Sequence, residues 1–308
     1  ITLPILQQLQ DWNLIYREGI LKCPNGHFYR LRANKRSKDG FVWRCTEWYK
    51  NAHKKRVRCY ATLSIRTHTF FEKSQLSLYQ LVAFSYLWFE NVSLNFLINQ
   101  IEISKKTAVD WASFHREAVI YAAKTDDKLG GPDTVVEIGE SEINRKEYHN
   151  GPWLEGQWIF CGVQRGTGEC FMVPVESRTM EGLLQLIKQH IKPKTTIISD
   201  CWKAYDCVND KKFLHLADNY TITFKDPVTG AHTSTIEGIW DCLKASLPEH
   251  RRKKRLHEYL AKFVFKRMCQ SKKIDLLSEF FKIANELCNP FEGKKLLGLD
   301  NLDESDRL

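Results

Sequence analysis

Asp200 and Glu237 are the residues whose type and spacing best suit chemistry in this chain. Asp200 follows Thr195-Thr196-Ile197-Ile198-Ser199, and Glu237 lies in Thr233-Ser234-Thr235-Ile236-Glu237-Gly238-Ile239-Trp240. The first run predicts a strand that ends on a carboxylate, and the second predicts the opening turn of a helix. Hard cations take oxygen ligands, and two of them can clamp the attacking and leaving oxygens of a phosphodiester. The pair therefore suits phosphoryl transfer with Mg²⁺ or Mn²⁺. Both acids also have plainer readings. Asp200 could cap a short helix, and Glu237 could simply complement a helix dipole. Trp240 and Lys244 are placed on the face of Glu237, so Lys244 could reach a phosphate. His232, just before the helix, could position a phosphate or a water.

A second constellation lies near the start. Cys23 and His27 are followed by Cys45 and Cys59, a set of soft and borderline ligands that suits tetrahedral Zn²⁺. The long final gap leaves His53 and His68 as rival fourth ligands, and structural thiols as the plain reading. The ten cysteines form no compact framework, which points to reduced thiols in the cytosol or nucleus.

These groups need elements to hold them. The 308 residues suffice for two or three domains. Residues 1–70 are rich in Cys, Lys and Arg, with β-like runs HFYRLRA and DGFVWRC, and are predicted as a zinc-binding DNA-recognition module. Residues 71–126 read as helical. LSLYQLVAFSYLWFE is one helix; a short helix from Leu94, a turn near Glu102 and a helix opening at Ser104 predict a helix-turn-helix. Lys105 and Lys106 stand where a recognition helix meets DNA. DDKLGGPD is a linker, and residues 133–290 are predicted as the core with C-terminal helices. There, TVVEIG, GQWIFCGVQ and ECFMVPV read as strands, MEGLLQLIKQHI as a helix, and TTIIS as another strand. A helix from about Ser234 follows. This order fits an α/β ribonuclease H-like fold with a mixed sheet.

Lys and Arg exceed Asp and Glu by nine. Eleven of the basic residues lie between Arg30 and Arg58 against two acids, interleaved with Phe41, Trp43, Trp48 and Tyr49. A second block, Arg251-Arg252-Lys253-Lys254-Arg255, follows the Glu237 helix. Both blocks suit a polyanion such as double-stranded DNA, and the second could also direct nuclear import. No apolar run is long enough to span a membrane. No signal peptide opens the chain, and its first residue is Ile, so the natural N-terminus is expected upstream.

TTIISDCWKAY, DPVTGAHTSTIEGIWDCLK and LEGQWIFCGVQRGTGECFMVPV together resemble the Merlin-type cut-and-paste DNA transposases and their bacterial insertion-sequence relatives. The resemblance covers roughly residues 133–270. It implies an Asp-Asp-Glu core that binds two Mg²⁺ and cleaves and transfers strands at terminal inverted repeats. It also implies a homo-oligomer on DNA and a nuclear site of action. Asp200 maps to the second acid and Glu237 to the third. The first acid of the family lies in Val-Glu-Ile-Asp-Glu, whereas this chain reads Val136-Glu137-Ile138-Gly139-Glu140. Gly139 stands where the metal-bridging Asp belongs. Glu137 would lie on the same face about 7 Å away, and Glu140 on the opposite face. The stretches around Cys45, Cys59, Ser64-Ile65-Arg66 and Phe70-Phe71 resemble the zinc-ribbon-like N-terminus of these transposases. They usually begin with Cys-Pro-x-Cys; here Gly26 takes the second Cys position and His27 must stand in.

The expected protein is thus a transposase, or a transposase-derived DNA-binding protein whose cleavage is impaired by Gly139. An active enzyme that recruits Glu137 or Glu140 is one alternative. A transcription-factor-like binder with a non-catalytic core is another.

Overall fold

The computed structural model describes residues 3–123, 127–143, 156–200, 213–218, 232–247 and 255–287, with the backbone alone at Asp200, Ala217 and Asp218. They form two compact units. One is built from residues up to Ala108 together with those from Leu277, and the other covers Val109–Leu276.

The first unit opens with α1 (Leu3–Asp11). Strands β1 (Arg30–Ala33), β2 (Phe41–Arg44) and β5 (Thr62–Ser64) then make an antiparallel sheet in the order β1-β2-β5. Between β2 and β5 the chain leaves this sheet as a separate two-stranded ribbon, β3 (Trp48–Lys50) and β4 (Arg56–Arg58). Asp39 and Arg66 form a buried bidentate pair, with both contacts at 2.6 Å. Asp39 also accepts from the Leu78 N–H, which opens α2 (Leu78–Phe89). Ser77 caps α2 in a reciprocal capping box with Gln80, so two otherwise orphaned donors are satisfied.

Next come α3 (Leu94–Ile101) and α4 (Lys105–Ala123), joined by Glu102 in the left-handed conformation. The Ser104 hydroxyl accepts from the Thr107 N–H, as expected of an N-cap. Near the other end of the chain, α8 (Leu276–Leu287) presents an aromatic pair. Phe281 packs against Trp12 and Phe71, and Phe280 against Phe89.

The second unit is built on a five-stranded mixed sheet. β6 (Val135–Ile143), β7 (Gln157–Gln164) and β8 (Cys170–Val175) form an antiparallel meander. After α5 (Met180–His190), β9 (Thr196–Asp200) returns parallel to β6, and β10 (Leu214–Asp218) pairs parallel to β9. The order β10-β9-β6-β7-β8, with helices on both faces, is that of a ribonuclease H-like core. Strand alternation sorts the residues. Val136, Ile138, Phe160 and Ile197 pack toward Leu183 and Ile187 of α5. On the other face, Ile159, Cys161 and Val163 meet α6 (Ser234–Ser246) and α7 (Leu256–Ser271) through Ile236, Ile239, Leu243, Leu260 and Phe263.

Candidate functional site

Of the core positions singled out by the sequence, Glu137 and Gly139 lie on the α6 face of the sheet, and Glu237 lies on α6 itself. Glu137 pairs with Ile198 across β6 and β9. Carried two residues further along these parallel strands, that register brings Gly139 level with Asp200. Asp218 pairs with Asp200 on the other side, a carboxylate-bearing position the sequence reading did not single out. Gly139 is not needed for space or for an unusual backbone. Among the described residues, a Cβ built there would meet only the Ile236 Cδ1, at an ordinary 3.5 Å. The position can accept a side chain pointing toward the start of α6, yet offers no ligand.

Glu137 does not fill the gap. Its side chain is fully buried and both of its oxygens are engaged. Oε1 accepts from Arg165 Nε at 2.5 Å, and Oε2 accepts from the backbone N–H of Ile236 at 2.9 Å. Thr233 precedes α6 but makes no side-chain cap, so the third N–H of the helix is satisfied by Glu137. Arg165 closes the arrangement by donating from Nη2 to the His232 carbonyl. His232 Nδ1 lies 2.8 Å from the Ser234 hydroxyl and 3.9 Å from Glu137. Glu137, Arg165 and His232 thus anchor the N-terminus of α6 to the sheet, one residue before Glu237. Glu140 points to the other face, where Arg178 approaches its carboxylate at 3.8 Å while lying over the Trp158 ring.

Glu237 itself is exposed, as are Asp241 and Lys244. Trp240 departs from the expected shared face. It is 7% exposed and packs in the core with Ile236 and Ile239, because the apolar stripe of α6 is wide enough to include it. Cys161 and Cys170 are also core residues. Burial pushes both thiols up, that of Cys170 to about 12, so they stay protonated and inert.

The N-terminal quartet is brought together as the ligand spacing predicted. Cys23, His27, Cys45 and Cys59 offer ligand atoms that all lie within 4.8 Å of one another. Cys23 Sγ is 3.6 Å from His27 Nδ1, Cys45 Sγ is 3.8 Å from the same nitrogen, and Cys59 Sγ is 3.9 Å from Cys23 Sγ. A tetrahedron with bonds of about 2.3 Å has edges of about 3.8 Å, so the set fits Zn²⁺. Gly26 makes this possible at φ 81, turning the chain so that Cys23 N–H donates to the His27 carbonyl. His53 and His68, the rivals for the fourth place, are not in the cluster. Asn25 donates to Cys59 Sγ at 3.3 Å, a support for a thiolate. Burial pushes the Cys45 thiol up to about 11, whereas the Ala61 N–H draws that of Cys59 down. Cation binding must displace such protons.

Residues 138–267 match the family model of the ISXO2-like transposase domain. The matched segment contains Gly139, Asp200, His232, Glu237 and the 251–255 block. Among solved structures, the chain is similar to the catalytic core domain of the HTLV-2 integrase in complex with magnesium. The identity is 13%, over 44% of this chain and 84% of that one, with a TM-score of 0.28. It is also similar to the simian T-cell lymphotropic virus intasome in complex with PP2A regulatory subunit B56 gamma, at 11% identity over 59% and 68% of the two chains and a TM-score of 0.29. A search of curated proteins found no match.

Of the predicted DNA contacts, Lys105 and Lys106 are exposed at the start of α4. Arg255 is half-buried immediately before α7. Arg251, Arg252, Lys253 and Lys254 lie outside the described residues. Among these, no helix is long and apolar enough to cross a membrane.

Proposed function

We propose that this chain is a DNA-binding protein of the Asp-Asp-Glu transposase kind, Merlin type, whose core lacks one of its three metal-binding carboxylates. The observation that carries the reading is Gly139. It sits on the α6 face, level with Asp200 when the β6–β9 register is carried two residues on, and the described residues leave room there for a side chain. Glu137, two residues before it on the same strand, is spent on Arg165 and Ile236. That engagement weighs against an active enzyme that recruits Glu137.

The residues present do not complete a two-Mg²⁺ or two-Mn²⁺ site. Asp200 and Glu237 remain as the acids the family would use at the second and third places. Cys23, His27, Cys45 and Cys59 would hold Zn²⁺ in a structural role, fixing a small module that has little core of its own. Its DNA would be the terminal inverted repeats of an element, bound by a homo-oligomer in the nucleus. The transposase-domain match over residues 138–267 and the basic blocks support this assignment.

Plasmid nicking in Mg²⁺ or Mn²⁺ tests the reading. The chain as it stands should not nick supercoiled DNA, and Gly139→Asp should, in a manner that Asp200→Ala abolishes. Nicking by the unaltered chain that depends on Asp200 would overturn the reading.

A further inference from the structure

The β3–β4 ribbon lies within the basic run Arg30–Arg58, and its register decides which of those residues share a face. Across the antiparallel register, Trp48 stands opposite Arg58 and Lys50 opposite Arg56. Directly opposed residues share a face, so these four side chains form one surface. All four are exposed. The opposite face carries the half-buried pair Tyr49 and Val57. Lys54 and Lys55 add two exposed cations at the turn. No acid occurs between Trp48 and Arg58, against five Lys or Arg.

The surface is also ordered in advance. Arg56 lies over the Trp48 ring at 5.3 Å and Arg58 over the Tyr60 ring at 6.0 Å. Trp48 and Tyr60 are 52% and 61% exposed, so the described residues leave much of each ring open. The turn is fixed by the Asn51 carboxamide oxygen, which accepts from the His53 and Lys55 N–H groups at 3.0 Å. An isolated two-stranded ribbon is marginal in water. This one is closed at its base by Cys45, just before β3, and Cys59, directly after β4, both members of the metal-ligand quartet. The Cys59 N–H donates to the Glu47 carbonyl at 2.7 Å, continuing the pairing down to that base.

We propose that the outer face of the β3–β4 ribbon binds duplex DNA, with Lys50, Arg56 and Arg58 on phosphates or base edges. The proposal rests on the DNA-binding reading above and locates its contact surface. A ribbon reaching about 20 Å from its base matches a major groove, which admits two antiparallel strands. Guanidinium groups placed beside the rings can make bidentate contacts with phosphate or guanine. A solvated basic surface would gain nothing from being mounted on a metal-ligand base, whereas a groove reader needs that rigidity.

The test is fluorescence anisotropy of a labelled mixed-sequence DNA duplex with the full chain over a salt series. Lys50→Gln/Arg56→Gln/Arg58→Gln should weaken binding on the order of 100-fold at about 0.15 M salt and lower the log–log salt slope by up to about three. Zinc content and the melting transition should stay unchanged. Should that variant misfold, Lys54→Gln/Lys55→Gln at the exposed turn serves instead, and should lower the slope by up to about two. Binding unchanged in both, but lost in Lys105→Gln/Lys106→Gln, would overturn the ribbon proposal and leave DNA binding intact. Failure of the unaltered chain to bind any duplex would overturn both readings.

Discussion

Two buried sites of this chain treat charge in opposite ways. At the N-terminal quartet, three thiols and an imidazole face one another at 3.6 to 3.9 Å along the distances described, with a partial support from Asn25. In the core, the Glu137 carboxylate is already matched by a guanidinium and a helix N–H, while the neighbouring Gly139 offers nothing. The first arrangement makes sense when a cation completes it. The second is complete as a structural joint and incomplete as a metal site. Buried polar groups thus do not by themselves mark chemistry; what matters is whether their partners are already inside the protein.

The largest effect should come from taking the cation away from the quartet. Cys45→Ala, or chelation, should abolish stoichiometric zinc binding and unfold the residues around β1–β5. Structural zinc in small modules contributes on the order of 10 kcal/mol. Elemental analysis and hydrogen exchange would check it, with protection expected to vanish in residues 20–66 and persist in β6–β9. A Cys45→Ala protein that keeps one equivalent of zinc and full protection would show that the cluster is only a group of core thiols.

Breaking the joint in the core should cost less. Glu137→Ala removes the partner of Arg165 and leaves the Ile236 N–H unsatisfied, and breaking a buried pair typically costs about 3–5 kcal/mol. Urea unfolding would measure it. The test also bears on the α6 anchor: exchange of amides at 236–240 should rise more than that of β8. A Glu137→Ala variant as stable as the parent would mean that its two hydrogen bonds contribute nothing to holding α6.

Acid should act on the second unit through a histidine that is neither a ligand nor part of the joint. His115 is fully buried on α4, its Nδ1 lies 2.7 Å from the Trp111 carbonyl, and burial lowers its pKa to about 3. The unfolded chain binds that proton near pH 6.5 and the folded one does not. This contribution is therefore complete above pH 6.5 and is lost as the pH falls from 6.5 toward 3. At pH 5 the loss is about 2 kcal/mol. His115→Asn should flatten the stability profile between pH 5 and 6.5. An unchanged slope would assign the acid sensitivity to other groups.

How much of this was legible in the sequence depended on the period of the signal. Helices with one apolar face, such as α5 and α6, and the strands of the meander stood out, as did the ligand quartet, since Cys and His announce themselves by type. Parity was not legible in the short basic strands. Trp43 and Trp48 look alike in the sequence, yet Trp43 is 1% exposed in β2 while Trp48 lies open on the ribbon. Only the register decides that. The ribbon was missed for the same reason: two three-residue strands carry too little alternation to be seen. β10 escaped because LHLAD is as short and mixed. The role of Glu137 was hidden because its partners, Arg165 and Ile236, are 28 and 99 residues away.

The smallest effect discriminates most finely between the two sites. Gly139→Ala supplies a Cβ without a ligand. Its only close neighbour among the described residues would be the Ile236 Cδ1 at 3.5 Å, which is ordinary contact. Glycine within a strand loses more chain entropy on folding than alanine, by roughly 0.5–1 kcal/mol, so the substitution should be neutral or stabilising by that amount. Denaturant unfolding would read it as an unchanged m-value with a slightly higher midpoint. The equivalent change at Gly26, where φ is 81, should destabilise, because alanine is strained in that region and the turn carries Cys23 and His27 into the cluster. A marked loss of stability in Gly139→Ala would mean that the backbone there needs glycine for itself. The position could then no longer be regarded as the open place of a missing carboxylate, and the contrast between a metal site awaiting its cation and one lacking a ligand would fall.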